Sequence, residues 1–396
     1  MISFDEAFKL ACAAAPPLGP ETIALAEAHG RVLAEQVTAG VSSPPCDMSA
    51  MDGYAVREAD LGSLPARLHI TSEIFAGSAN PGAIDQGECA RIFTGAPVPK
   101  GADRVIVQEV AERDGDYAQF SKPLSNNSNI RKCGNDFGAG DILLKAGRKL
   151  DYRALVAAAG GDVAKLTCWR KPRVALLATG DELAEPGTAR HNAGTIPESI
   201  SVGIAAMVRE FGGQIVSQSQ LPDDLDQMER AATSAVEYAD LVITTGGASV
   251  GDRDFAKQMF APAGLEMIFT KVAIKPGKPV WLGRAMGKLV LGLPGNPTSA
   301  MVTGRLFLAA LITGLAGADP LASLPWRGAE IASSLPAAGD RETFVRASLD
   351  AQGRAVPLGN QFSSAQHALA NADLLLRRPA GLGPLEAGEI VPAISF

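Results

Sequence analysis

Apolar and polar positions change their period several times along this chain, and each change marks a different kind of element. Near the N-terminus apolar residues recur at helical spacing behind Ser3-Phe4-Asp5-Glu6. That order is a capping box, so a helix is expected to about Ala15, where Pro16-Pro17 stops it. A second helix is expected over 24–30. Residues 42–54 have no period and read as a long polar loop stiffened by Pro44-Pro45, either functional or a domain crossing. Residues 55–138 alternate apolar with polar and are punctuated by turn signals, with clear strands at 68–75 and 104–110. Another polar loop, 129–136, carries Asp136, and an Ala-rich helix is expected over 155–164. From Lys171 onward short, fully apolar runs alternate with helical stretches. Strands are expected at 173–178, 214–219, 241–244, 267–272 and 288–292, and helices at 200–211, 226–239, 255–260 and 299–314. After Leu324 short strands return, such as 343–349.

This sequence of patterns predicts a multidomain α/β plus β protein. Strands alternating with helices give a doubly wound, mostly parallel sheet. The expected division is an N-terminal mixed domain of residues 1–44 plus 139–170, an inserted β domain of 45–138, an α/β domain of 171–321 and a small, barrel-like C-terminal β domain of 322–396. A length of 396 residues exceeds what one ordinary core organises. In doubly wound sheets ligands bind beyond the carboxyl ends of the strands, which here are the loops 179–182, 246–254 and 294–298.

Composition narrows the function. A net charge of −7 and a pI near 5.3 argue against nucleic acid as a main partner. Cys12, Cys46, Cys89, Cys133 and Cys168 are odd in number and widely spaced, which fits neither a disulfide framework nor a zinc site and points to a reducing cytoplasm. His29, His69, His191 and His367 lack metal-ligand spacing. No uninterrupted apolar run suggests a membrane span. Ala13-Ala14-Ala15 mimics a cleavage site, but the acidic N-terminus lacks a basic lead segment, so no signal peptide is expected.

Against this acidic background two stretches carry chemistry. The strand at 241–244 runs into Gly246-Gly247-Ala248-Ser249-Val250-Gly251, then Asp252 and Asp254. Small residues let the backbone approach a ligand, and successive N–H groups can cradle an anion. The alternative is a tight strand-to-helix turn with surface aspartates. The second stretch, Thr270 to Pro279, holds Lys271, Lys275 and Lys278, with Pro276 and Pro279 stiffening it. Such a cluster would draw in an oxyanion, unless it is a solvated face. Asp52, Asp136, Glu182, Asp223, Asp252 and Asp254 all lie in loops beside Gly or Pro. Each alone suits a turn or cap; together some suit Mg²⁺, which takes one or two carboxylates plus phosphate oxygens. Thr94 can donate to phosphate. No Ser-His-Asp order, His-Glu-x-x-His or Walker loop is present, which removes covalent hydrolases, zinc proteases and P-loop NTPases.

Six motifs, in order over nearly the whole chain, resemble the MoeA and gephyrin E-domain family. They are Ser49-Ala50-Met51-Asp52-Gly53-Tyr54-Ala55, Phe93-Thr94-Gly95-Ala96-Pro97, Thr179-Gly180-Asp181-Glu182-Leu183, the Gly246–Asp252 loop, Lys275-Pro276-Gly277-Lys278-Pro279 and Gly292-Leu293-Pro294-Gly295-Asn296-Pro297. The resemblance implies a molybdopterin molybdenumtransferase with a MogA-like α/β domain. Adenylylated molybdopterin and molybdate would enter, and molybdenum cofactor and AMP would leave, with Mg²⁺ assisting. It implies a homodimer whose cleft lies between the α/β domain of one subunit and the inserted β domain of the other. It further implies catalytic roles for Asp52, Asp136, Glu182, Asp223 and Asp252, with Asp223 and Asp252 on the metal. Substrate contacts would come from Thr94, Gly246, Gly247, Ser249, Lys271, Lys275, Lys278, Pro294 and Pro297, and from Arg341 or Arg346 and Ser363 or Ser364. The chain departs from the family pattern at Met48, Asn135, Glu198-Ser199-Ile200 and in the segments 361–364 and 370–373. A molybdopterin adenylyltransferase and a non-catalytic cofactor carrier or scaffold are the alternative readings. The adenylyltransferase and the cofactor-receiving enzymes are candidate partners, and neither nucleic acid nor membrane is expected.

Overall fold

The computed structural model describes residues 1–246 and 255–396. The first helix, Phe4–Ala14, starts as its capping box dictates: the Ser3 hydroxyl accepts from the Glu6 amide at 3.2 Å. Phe4, Ala7, Ala11 and Ala14, three or four residues apart, form its buried stripe. That stripe lies in the core of the α/β domain. Phe4 meets Phe307 and Phe344 there, with ring centroids 5.8 and 5.0 Å apart.

Residues 24–30 are not the expected helix. Pro20–Ala24 is a strand paired antiparallel with Lys165–Trp169, and a single 3₁₀ turn, Leu25–Glu27, follows. The distant strand overrides the local helical preference. Ala28, Leu33 and Val37 share a core with Leu144, Leu150, Ala154 and Leu166, so segments on either side of the inserted sheet form one body. The helix expected over 155–164 runs Tyr152–Gly160, because Asp151 caps it by accepting from the Ala154 amide at 2.8 Å. Between these segments lies a six-stranded sheet in the order Arg104–Val107, Gly53–Val56, Glu88–Ile92, Ala66–Ile74, Tyr117–Phe120, Ala111–Asp114. A core covers each of its faces.

The central sheet has the order Gln214–Leu221, Arg173–Thr179, Leu241–Thr245, Lys288–Leu293, Trp281–Ala285, Glu266–Phe269. The first four strands are parallel; Trp281–Ala285 runs against them, and Glu266–Phe269 runs with them again. Leu241–Thr245 is buried along its whole length, as its unbroken apolar run requires. Helix Ile200–Glu210 and the helix of residues 297–315 cover one face; Leu225–Tyr238 and Phe255–Gln258 cover the other. The 297–315 helix is long and apolar enough to cross a membrane by composition, but its apolar window is 89% buried inside the protein, where it is the core helix of this domain. The strand expected over 267–272 is Glu266–Phe269, and its antiparallel neighbour Trp281–Ala285 went unread in the sequence.

The C-terminal sheet has the order Ile274–Lys275, Glu342–Leu349, Leu374–Arg378, Ile390–Ser395, Arg327–Glu330, with Ala355–Pro357 beside Glu342–Leu349. Its edge strand comes from the α/β domain: Ile274 and Lys275 pair parallel with Glu342 and Thr343. This pairing carries the lysine-rich turn onto the C-terminal domain.

Candidate active site

The lysine turn is shaped by its own backbone. Val272 N–H donates to the Lys278 carbonyl at 3.1 Å, and Val280 N–H to the Gly277 carbonyl at 3.0 Å. Gly277 has φ +102°, and a Cβ there would stand 2.2 Å from Thr303 Cγ2, so only glycine fits. Ile274 and Gly277 are buried, which turns Lys275 and Lys278 outward. They face a cleft of about 510 Å³, shared with Pro276, Arg341, Ser299, Gln361 and Ser363. Arg341 donates to the Ile274 carbonyl at 3.4 Å. Its nearest carboxylate is Asp340, 3.8 Å away and 93% exposed. No acidic side chain lines the cleft, and among the described residues neither lysine has an ion-pair partner. Two lysines without an ion-pair partner, beside an arginine whose paired acid, Asp340, is almost fully exposed, make a receptor for an oxyanion. Lys271 lies on the same turn but outside the cleft, where its carbonyl accepts from the Ile2 amide at 3.3 Å.

A second cleft, about 340 Å³, opens at the carboxyl ends of the parallel strands. Its lining includes Thr179, Glu182, Glu198, Gly246, Asn296, Pro297 and Ser364. Gly246 has φ +88°, and a Cβ there would lie 2.3 Å from the Thr179 carbonyl, so glycine is required at the strand end. Asp223 N–H donates to the Asp181 carboxylate at 3.1 Å, which gathers Asp181, Glu182 and Asp223 at the ends of two neighbouring strands. Glu198 is 6% exposed and accepts from the Ser201 amide at 2.9 Å, capping helix Ile200–Glu210. Pro294 is buried behind this cleft and Pro297 opens the core helix. Among the described residues no three His, Cys, Asp or Glu side chains come together as a metal cage. The carboxylates at the strand ends are nonetheless the hard oxygen donors that Mg²⁺ takes alongside phosphate oxygens.

The two clefts share one wall. Ser363 faces the lysine cleft and Ser364 the strand-end cleft, so the segment 361–366 separates a basic chamber from an acidic one. Arg346 lies behind that wall, fully enclosed at 0% exposure. It reaches neither chamber.

The inserted domain holds its expected residues apart from both clefts. Asp52 accepts from Thr94 twice, from the amide and from the hydroxyl, each at 2.7 Å. Those two bonds hold its carboxyl below the usual carboxylate range. Asp47 is lowered likewise by Lys132 at 2.7 Å and the Cys133 amide at 2.9 Å. Asp136 lines a groove of about 950 Å³ with Ser43, Phe137 and Arg153. Within one chain, then, Lys275, Lys278, Arg341 and Ser363 come together, and so do Glu182, Gly246, Pro297 and Ser364. Asp52, Thr94 and Asp136 join neither set. Gly247, Ser249, Asp252 and Asp254 lie outside the described residues. Ser299, Gln361 and Phe362 line the lysine cleft, and Asn296 and Glu198 the other; the sequence reading gave none of them a role. For Asn296 the signal was available, since it sits between Gly295 and Pro297 at the start of a helix.

Comparison with known proteins agrees over the whole length. Residues 2–161 match the model of the MoeA N-terminal region, domains I and II. Residues 175–313 match the probable molybdopterin binding domain, and 328–396 the MoeA C-terminal region, domain IV. A molybdopterin molybdenumtransferase from Haemophilus influenzae is 35% identical over 87% of this chain and 85% of its own. Molybdopterin molybdenumtransferase 2 from Mycobacterium tuberculosis is 35% identical over 93% of each chain. The crystal structure of a molybdopterin biosynthesis MoeA protein from Pyrococcus horikoshii superposes with a TM-score of 0.84 at 26% identity, covering 100% of both chains.

Proposed function

This chain belongs to the MoeA family of molybdopterin molybdenumtransferases, enzymes of molybdenum cofactor biosynthesis, and from that footing we propose how its two clefts divide the reaction. The lysine cleft takes molybdate. Lys275, Lys278 and Arg341 offset its charge, and the Ser363 hydroxyl donates to one of its oxygens. The strand-end cleft, lined by Gly246, takes adenylylated molybdopterin. The observation that carries this reading is the shared wall, which sets a cationic chamber next to a carboxylate-lined one.

Mg²⁺ would be held by Asp223 and Asp252, with Glu182 as a further candidate donor, and would supply positive charge at the phosphoanhydride as AMP leaves. The chain's own work is positioning. The cations hold molybdate against the reacting end of the pterin, and the strand-end residues orient the bond that breaks. Asp52, Thr94 and Asp136 act from the partner subunit of a homodimer, since their own chain brings them to neither cleft. The substrate comes from the molybdopterin adenylyltransferase, and the product passes to cofactor-receiving enzymes. All five cysteines are free thiols, which suits the cytoplasm.

The test is AMP release from adenylylated molybdopterin by purified protein. Release that rises with added molybdate is expected. Consumption of ATP with free molybdopterin would assign the earlier adenylylation step instead. Binding of the pterin with no turnover at any molybdate concentration would make the chain a carrier.

A further inference from the structure

Arg346 is a charged residue with 0% exposure, and among the described residues no acid answers it. It lies on strand Glu342–Leu349, whose register against Leu374–Arg378 sets Arg346 opposite Leu375 in the sheet. No carboxylate lies within ion-pair distance among the described residues. Its Nε has no partner there either. Burial pushes the pKa of its guanidinium down, though an arginine remains charged.

What the guanidinium touches is the wall between the clefts. One terminal nitrogen donates to the carbonyls of Asn360 and Phe362 at 3.1 and 3.2 Å. The other reaches the Thr298 hydroxyl at 3.4 Å. The backbone of the same residue is engaged as well: Arg346 N–H donates to Gln361 Oε1 at 3.1 Å, and Gln361 Nε2 donates back to the Arg346 carbonyl at 2.9 Å. Thr298 completes the tie from the α/β side. It lies in the first turn of the core helix, its amide donates to the Ser363 carbonyl at 3.1 Å, and its hydroxyl to that of Ala365 at 3.4 Å. A C-terminal-domain strand, the wall and an α/β-domain helix thus meet at one buried fork.

We infer that Arg346 is the positioning residue that fixes the lysine cleft in register with the strand-end cleft, and so sets the distance from the oxyanion to the reacting end of the pterin. This rests on the division of substrates proposed above. The role needs the guanidinium rather than a charge alone, because its planar fork serves carbonyls and a hydroxyl at once. An ammonium is a single point donor. A burial cost without a compensating ion pair is what a residue kept for geometry would carry.

The experiment compares wild type, Arg346→Met and Arg346→Lys in molybdate-dependent AMP release, AMP binding and thermal unfolding. Both variants are expected to lose about 100-fold in turnover at saturating molybdate, the scale of an ångström-sized misplacement. AMP affinity should stay within about twofold, and the melting temperature of Arg346→Met should fall modestly, because relief of the buried charge only partly offsets the donors lost to the Asn360 and Phe362 carbonyls. Wild-type turnover in Arg346→Met, or full restoration by Arg346→Lys, would overturn the inference. So would equal losses of turnover and AMP affinity. If Arg346→Met does not fold, Thr298→Val decides: loss of one charge-assisted bond should lower turnover about tenfold, and unchanged turnover would overturn the inference. A wild type that releases AMP without molybdate would instead sink the substrate division itself, before any variant is compared.

Discussion

Lys275 and Lys278 project from a turn whose backbone is held by Val272, Gly277 and Val280. Removing either ammonium leaves the turn intact. Lys275→Ala should therefore change stability by no more than ~0.5 kcal/mol, while the molybdate concentration for half-maximal AMP release rises about tenfold, the value of one charge-assisted bond. Equal half-saturation in mutant and wild type would remove Lys275 from the site. At Asp52 the effect is one of pH. The Thr94 amide and hydroxyl stabilise the carboxylate and depress its pKa. Thr94→Val removes the hydroxyl bond, so the Asp52 pKa rises toward its ordinary value near ~3.9 and the acid limb of the pH–rate profile moves to higher pH. An unmoved limb would mean that Asp52 does not govern it. The lysine turn was legible in the sequence because its constraints, Pro276, Gly277 and Pro279, are neighbours. Arg346 and Gln361 were not, because each is defined by partners across a sheet or a domain boundary.

At the scale of elements, two tests separate local conformation from long-range ties. Gly277→Ala forces a side chain into a positive-φ position 2.2 Å from Thr303 Cγ2. It should cost about 1–3 kcal/mol and reduce molybdate use together with stability, in contrast to Lys275→Ala; a stable, fully active variant would contradict the geometry of the turn. At the far end of the sheet, Asp240 accepts from Arg170 at 2.7 and 2.8 Å and from the Arg173 amide at 2.8 Å. Burial raises its pKa, but these bonds and Lys288 outweigh that and leave it depressed. The stability it contributes is therefore present above the ordinary carboxylate pKa and is lost as pH falls through the depressed folded value. Asp240→Asn should lower unfolding stability by about 3 kcal/mol at neutral pH, measured by urea denaturation, and narrow its gap to wild type in strong acid. A constant gap would contradict the assignment. The inner parallel strands, Arg173–Thr179, Leu241–Thr245 and Lys288–Leu293, were readable because burial on both faces demands mostly apolar runs. Strand Trp281–Ala285 was not, since Gly283 and Arg284 interrupt its pattern; Gly283 is there because a Cβ would stand 2.8 Å from the Glu266 carbonyl on the next strand. The 24–30 segment misled because its alanines favour helix while its partner lies more than a hundred residues away.

For the molecule as a whole, the central question is how the inserted domain serves a site built from the other two. If Asp52 and Asp136 act across a dimer, Asp52→Asn and Lys275→Ala should each be impaired alone yet complement when subunits are exchanged. Half of randomly mixed dimers pair the two variants and carry one intact site, so activity should recover to about a quarter of wild type. No recovery on mixing would place the whole site within one chain. The most direct measurement is a crystal soaked in tungstate, read by anomalous scattering. The account requires a peak bounded by Lys275, Lys278, Arg341 and Ser363, across the wall from Glu182 and Gly246. Tungstate ordered elsewhere on the protein, with that cleft bare at the same concentration, would contradict it.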